Sequence, residues 1–138
     1  MIEKYYKYKS KYQSYIILLE IGAFYEVIGV DALIINYLFG YKLKKLSNTF
    51  KCGFPINKLE IIIKELGKNS INYVIVKNDE IKEKQEFETN NYNNFSFNEG
   101  IVFYNFMRIE KISNILSANI INQNLDEKLS KIEEILDI

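Results

Sequence analysis

Leu18-Leu19-Glu20-Ile21-Gly22-Ala23-Phe24-Tyr25-Glu26-Val27-Ile28 is the stretch on which the fold turns. Tyr15–Ile21 carries no charge before Glu20 and reads as a buried strand. Gly22 tolerates the backbone of a tight turn, and Ala23–Ile28 resumes as a second strand. Side chains alternate along a strand, so Phe24 and Glu26 should share one face while Tyr25 takes the other. Taken alone, this pair fits equally a core phenylalanine beside an exposed edge charge.

Upstream, residues 3–13 interleave Lys4, Lys7, Lys9 and Lys11 with tyrosines; Tyr5, Tyr8 and Tyr12 fall on one helical stripe. Downstream, Asp31 opens a helix whose inward residues are Leu33, Ile34, Tyr37 and Leu38, ended by Gly40. Tyr41–Leu46 predicts a short strand, Ser47-Asn48-Thr49 a turn, and Phe50–Gly53 another strand. Pro55 suits the first turn of a helix with the stripe Leu59, Ile62, Ile63 and Leu66, closed by Gly67. Ile71–Val76 is a β-branched strand, and the more polar Ile81–Glu88 suits a sheet edge. The Asn-rich segment 89–100 has turn composition and divides residues 1–88 from an extension, 101–138. There Ile101–Phe106 reads as a strand. Two amphipathic helices follow, on Ile109, Ile112, Leu116, Ile120 and on Leu125, Leu129, Ile132, Leu136. The expected class is α/β, a mixed sheet flanked by helices with a helical C-terminal extension.

Composition narrows the function. The chain has 138 residues, 48% of them hydrophobic, enough for a real core in one domain of ordinary size. Histidine is absent and Cys52 is the single cysteine. Intramolecular disulfides, the usual zinc sites and His-based acid–base catalysis are therefore ruled out. The run Gly-x-x-x-x-Gly-Lys-Ser/Thr does not occur, which argues against ATP hydrolysis. Acidic pairs such as Asp79-Glu80 and Glu133-Glu134 read as solvated faces, and we expect no metal, no cofactor and no catalytic residue. No apolar run is long enough for a membrane span, and the N-terminus lacks a signal-peptide core, so the expected location is the cytoplasm. The formal net charge is zero, but it is unevenly spread. Residues 1–78 carry 12 Lys against 6 acidic residues, and residues 79–138 carry 5 Lys and Arg108 against 12. Any phosphate-binding surface belongs in the first half.

Several pieces in order now resemble one family. The opening stretch is similar to the strand, Gly-Asp-Phe-Tyr-Glu, strand segment at the N-terminus of MutS-type mismatch-repair proteins. A helix with Asp31-Ala32 follows at the family's spacing. Leu43-Lys44-Lys45 is similar to the family's Leu-Thr-Lys, and Cys52-Gly53-Phe54-Pro55 to its Ala-Gly-Ile/Val-Pro. The helix and the Ile71–Val76 strand then come in the same order, so the likeness covers about residues 4–88. The chain departs from the family where Ala23 replaces the acidic residue before the wedge phenylalanine. It departs again at Lys44-Lys45-Leu46 for Thr-Lys-Arg, Pro55-Ile56-Asn57 for Pro-Tyr-His, and Lys77-Asn78 for Glu-Gln.

The resemblance implies a DNA-binding domain for duplex bearing a mismatch or a small unpaired loop. Phe24 would stack on one unpaired base from the minor groove, and Glu26 would hydrogen-bond the same base. The chemistry suits these residues. An aromatic plate replaces a lost base neighbour at about 1–3 kcal/mol and tolerates any base. Its insertion unstacks and kinks the duplex at about a few kcal/mol per step, less where pairing is already defective. A carboxylate penalises ordinary duplex by repulsion, yet it can accept an exposed imino proton; against a purine acceptor nitrogen it would have to carry a proton itself. Lys44 and Lys45, joined by Lys42 and Lys51, are the expected phosphate contacts. Gly22, Gly53 and Pro55 shape the turns around them, and Cys52 reads as a small core residue. Without a clamp, binding should be weak and salt-sensitive, at about 10⁻⁴–10⁻⁶ M. The C-terminal helices either cover their own sheet or pair two copies as a homodimer. The alternative is a protein-interaction or regulatory module that keeps this fold without DNA binding and engages mismatch-repair proteins.

Overall fold

In the computed structural model, which describes residues 1–138, six strands form one sheet. They are β1 (Ile16–Ile21), β2 (Phe24–Ile28), β3 (Lys44–Leu46), β4 (Thr49–Pro55), β5 (Tyr73–Lys77) and β6 (Glu80–Gln85). Their order across the sheet is β3-β4-β2-β1-β5-β6. Every neighbouring pair is antiparallel except β1–β5, which is parallel. A parallel pair needs a long crossover, and here the crossover contains α2 (Val30–Phe39) and α3 (Leu59–Lys68). The tightest link is Gly22-Ala23, because Ile21 pairs directly with Phe24. Gly22 has φ +60 while Ala23 does not turn positive, the pattern of a two-residue hairpin with glycine in its first central position.

The two faces of the sheet are covered by different helices. On one, Ile17, Leu19, Ile28, Val74 and Val76 pack beneath Tyr5 and Tyr8 of α1 (Ile2–Lys9). On the other, Ile16, Leu18, Tyr25, Val27, Cys52, Phe54, Tyr73 and Ile75 pack against α2 and α3 through Ala32, Ile34, Ile35, Ile62 and Leu66. Each such aliphatic side chain contributes about 1.5–3 kcal/mol on burial. β1 faces apolar layers on both sides, which is why Ile16–Leu19 is an unbroken apolar run. The polar β6 lies at the sheet's edge, as its composition predicts.

Several local readings change, among them Tyr37, read as an inward residue of its helix and in fact exposed. Ile101–Phe106 is not a strand: it lies inside α4 (Glu99–Ala118), whose first turn is capped by the Asn98 side chain accepting from the Ile101 N–H at 3.1 Å. The short β-branched run had no helical period of its own, and the cap with the long register behind it outweighs local propensity. Pro55 ends β4 instead of starting a helix; one 3-10 turn, Ile56–Lys58, intervenes before α3. Only Lys44–Leu46 of the expected strand Tyr41–Leu46 is paired. Gly40–Leu43 is instead irregular, and the Tyr41 carbonyl accepts from Asn36 Nδ2 at 2.8 Å.

The chain divides into two compact units, Met1–Phe97 and Asn98–Ile138. Residues 89–97 of the Asn-rich segment belong to the first unit: Tyr92 is buried in its core and Phe95 and Phe97 pack against that core. The second unit consists of α4 and α5 (Leu125–Leu136), with Leu125 buried. Many of its apolar side chains, among them Ile109, Ile112 and Ile120, are exposed. No helix is long and apolar enough to cross a membrane.

Candidate nucleic-acid interface

Phe24 starts β2, an interior strand of the sheet, and its cross-strand partners are Ile21 and Pro55. The ring is 47% exposed, unusual for a phenylalanine on a sheet face. Glu26, two residues on and on the same face, sits opposite Gly53. A Cβ on Gly53 would lie 3.0 Å from Glu26 Oε2 and 3.2 Å from its Cδ. Glycine is therefore what lets the carboxylate lie across the neighbouring strand. No hydrogen bond or ion pair within the protein engages that carboxylate. Tyr25, on the opposite face, is buried and stacks on Phe54 with ring centroids 5.5 Å apart. The alternation read from the sequence thus separates a core aromatic from an exposed one.

Beside this pair opens a cleft of ≈ 280 Å³ lined by Phe24, Glu26, Tyr41, Lys42, Lys44, Lys51 and Gly53. Lys44 and Lys51 face each other directly across β3–β4. Lys45 pairs with Phe50 instead, so its side chain leaves from the other face of the hairpin and does not line the cleft. None of these four lysines is spent on a carboxylate of the protein itself, unlike Lys4, Lys9 and Lys77. Pro55 closes the strand beside Phe24, and the following Ile56 N–H donates to the Ala23 carbonyl at 3.1 Å, tying the Gly22-Ala23 turn to β4. Cys52 lies beneath, fully buried; burial, reinforced by the Glu26 charge and opposed by Lys44, pushes its thiol up to about 11. It is an inert core residue. Nowhere do three His, Cys, Asp or Glu side chains gather as metal ligands would.

A second polar cluster escapes sequence reading. Asp31 is wholly buried and accepts from the Tyr5 hydroxyl, Lys9 Nζ at 2.8 Å, the Tyr92 hydroxyl at 2.5 Å and the Ile17 N–H at 3.2 Å. Lys9 also donates to the Tyr15 carbonyl at 2.6 Å. Burial lowers the Lys9 ammonium's pKa against the pull of Asp31, and burial with the Asp31 charge raises the Tyr5 hydroxyl well above its usual value. This hub joins α1, β1, α2 and the Tyr92 turn. The available signal was that Lys9 lies one residue past the stripe Tyr5–Tyr8, on the inward side.

No curated protein matches the sequence. The family described as MutS domain I matches residues 1–118, which runs past residue 88 and takes in the whole of α4. With the sheet, its flanking helices and the Phe-x-Glu strand in place, this chain belongs to the MutS domain I family.

Proposed function

We propose that this domain binds duplex DNA at mispairs and small unpaired loops, with Phe24 as the inserted wedge, Glu26 beside it, and Lys42, Lys44 and Lys51 on the flanking phosphates. The observation that carries this reading is an exposed Phe24 sharing one cleft with an unpartnered carboxylate and three unpaired lysines. A core phenylalanine would be buried, and an incidental edge charge would have no reason to be matched with a side-chain-free residue opposite. Lys45, directed to the other face, contributes to the general field near the duplex rather than to the wedge contacts. The family's role in DNA recognition supports a binding domain without catalysis of its own. The test compares matched and single-mismatch duplexes by gel shift with wild type and Phe24→Ala. Loss of stacking worth about 1–3 kcal/mol lowers mismatch affinity by about 5- to 150-fold and leaves matched binding nearly unchanged. Equal affinity in all four combinations would sink the proposal.

A protein-contact role is favoured by a different observation, the exposed isoleucines of α4 and α5. In that reading the second unit pairs two copies, or engages a mismatch-repair protein. Sedimentation of wild type against Ile109→Lys/Ile112→Lys separates these outcomes: a dimer that the double substitution dissolves supports self-pairing, and a wild-type monomer at all concentrations rejects it.

A further inference from the structure

We infer that the helical second unit is a self-pairing device in which α4 of two copies lie antiparallel along one apolar seam; this rests on the self-pairing reading above and names its surface and orientation.

Along α4, Val102, Phe106, Ile109, Ser113, Leu116 and Ile120 recur at alternating intervals of four and three. That is the spacing of a coiled-coil seam, and five of the six side chains are apolar. Arg108, Glu110 and Lys111, the charges in the middle of the helix, all lie off this line. One chain does not close the seam. Ile109 and Ile120 are 66% and 73% exposed, and Leu116 is only partly buried. α5 is too short to cover it, since its 12 residues reach roughly 18 Å against roughly 30 Å for the 20 of α4. Where the two helices meet, Leu116, Ser117, Ile120, Leu125 and Leu129 surround an open hollow of ≈ 180 Å³. Packed interiors leave few voids larger than a water molecule, so this hollow is packing surface still to be filled. A unit of about forty residues stands at the size where a core needs disulfides, a metal or a second chain. Residues 98–138 contain neither cysteine nor histidine, and of these three means the second chain is the one open to it.

The seam is complementary to itself. A two-fold axis presents the same patch on both copies, and level with Lys111 it sets Val102 against Ile120 of the second copy, Phe106 against Leu116, and Ile109 against Ser113. Every layer then joins a larger side chain to a smaller one. Parallel pairing would put Phe106 against Phe106 and Ser113 against Ser113, crowding one layer and leaving a void in another. The hollow at Leu116–Ile120 comes level with Val102 and Phe106 of the second copy, whose side chains are the ones to fill it. Ser113 is the one polar member, and a serine hydroxyl can return to a carbonyl of its own helix one turn back. Antiparallel helices also bring opposite ends of their dipoles together. One cost is built in: the two copies of Glu110 come close beside the seam, and salt screens that repulsion. A partner held by the unit's charge, seven acidic side chains against four basic ones, would instead be released by salt.

The experiment uses the full chain. Sedimentation over a concentration series is expected to show a dimer that added salt tightens. Ile109→Lys, at a position exposed in the single chain and so harmless to its fold, is expected to raise the dissociation constant at least about tenfold, because both copies bury a charge in the seam. Orientation is read by cysteines under mild oxidation, with wild type as the control for the fully buried Cys52. Val102→Cys/Ile120→Cys is expected to give a disulfide-linked dimer and either single variant none, since the two copies of residue 102 lie roughly 27 Å apart, beyond disulfide reach. A wild-type monomer at every concentration ends the self-pairing reading and this seam with it. A dimer that Ile109→Lys leaves intact, that the double cysteine variant fails to trap, or that salt dissolves keeps self-pairing and overturns the α4 seam. A dimer linked by either single cysteine overturns the antiparallel order.

Discussion

Replacing Asp31 by alanine should strongly destabilise this fold, although the residue bonds to neither Phe24 nor Glu26. The substitution removes one buried carboxylate and abandons four donors: the Tyr5 and Tyr92 hydroxyls, the Lys9 ammonium and the Ile17 N–H. Breaking a buried pair from one side costs about 3–5 kcal/mol, because the surviving charge is left desolvated. The hydroxyls add to this, but Lys9 limits it. Burial already lowers its pKa, and without Asp31 the one charge that opposes that shift is gone, so the ammonium gives up its proton more readily and escapes part of the penalty. A loss of about 3–5 kcal/mol is a large share of the roughly 5–15 kcal/mol that typical domains possess. Urea unfolding followed by the near-ultraviolet signal of the tyrosines should show a midpoint lower by about 2 M at unchanged slope. The pH dependence supplies a second signature. A lysine whose folded pKa lies below its unfolded value binds more protons when unfolded, so stability rises with pH between those two values. Asp31→Ala should therefore recover part of its deficit as pH rises toward the ordinary lysine value, and wild type should recover less. A loss under about 1 kcal/mol, or a deficit indifferent to pH, would refute the buried hub.

Two smaller perturbations separate site from scaffold. Gly53→Ala places a methyl group 3.0 Å from Glu26 Oε2, so the flexible carboxylate must move. Because the backbone at Gly53 is ordinary, stability should change by less than about 1 kcal/mol. The ratio of mismatch to matched affinity in a competition assay should nonetheless fall, and an unchanged ratio would remove Glu26 from recognition. Lys44→Ala should reduce the slope of log affinity against log salt by about 1, and Lys45→Ala by clearly less, because only Lys44 lines the cleft. Identical slopes for the two variants would contradict the face assignment on β3.

Much of the fold was legible because one signal, apolar periodicity with glycine punctuation, is local. Tyr15–Ile21 and Ala23–Ile28 could be read as adjacent strands since Gly22 leaves no room for anything but a turn between them. The polar β6 was readable as an edge from its own charges. Ile101–Phe106 differs from its strand reading because a run of six residues, five of them apolar, fits a strand or a helix equally, and the Asn98 cap that decides between them is a single side-chain contact. Pro55 was placed one element late, since its fixed φ suits the end of a strand as well as the first turn of a helix.

The sequence by itself determined that Phe24 and Glu26 share a face and that the cationic half of the chain contains them, because alternation and charge are properties of neighbours along the chain. It determined also that nothing here works through histidine or a disulfide. Only the tertiary structure decided that the Phe24 ring is exposed while the Tyr25 ring is buried, because the register of β2 against β4 and the reach of α1 set which face is covered. The same register separated Lys44 from Lys45 and laid Glu26 over Gly53. Asp31 went from an ordinary first-turn acid to the most enclosed charge in the molecule because its four donors lie 14 to 61 residues away, at distances no local pattern encodes.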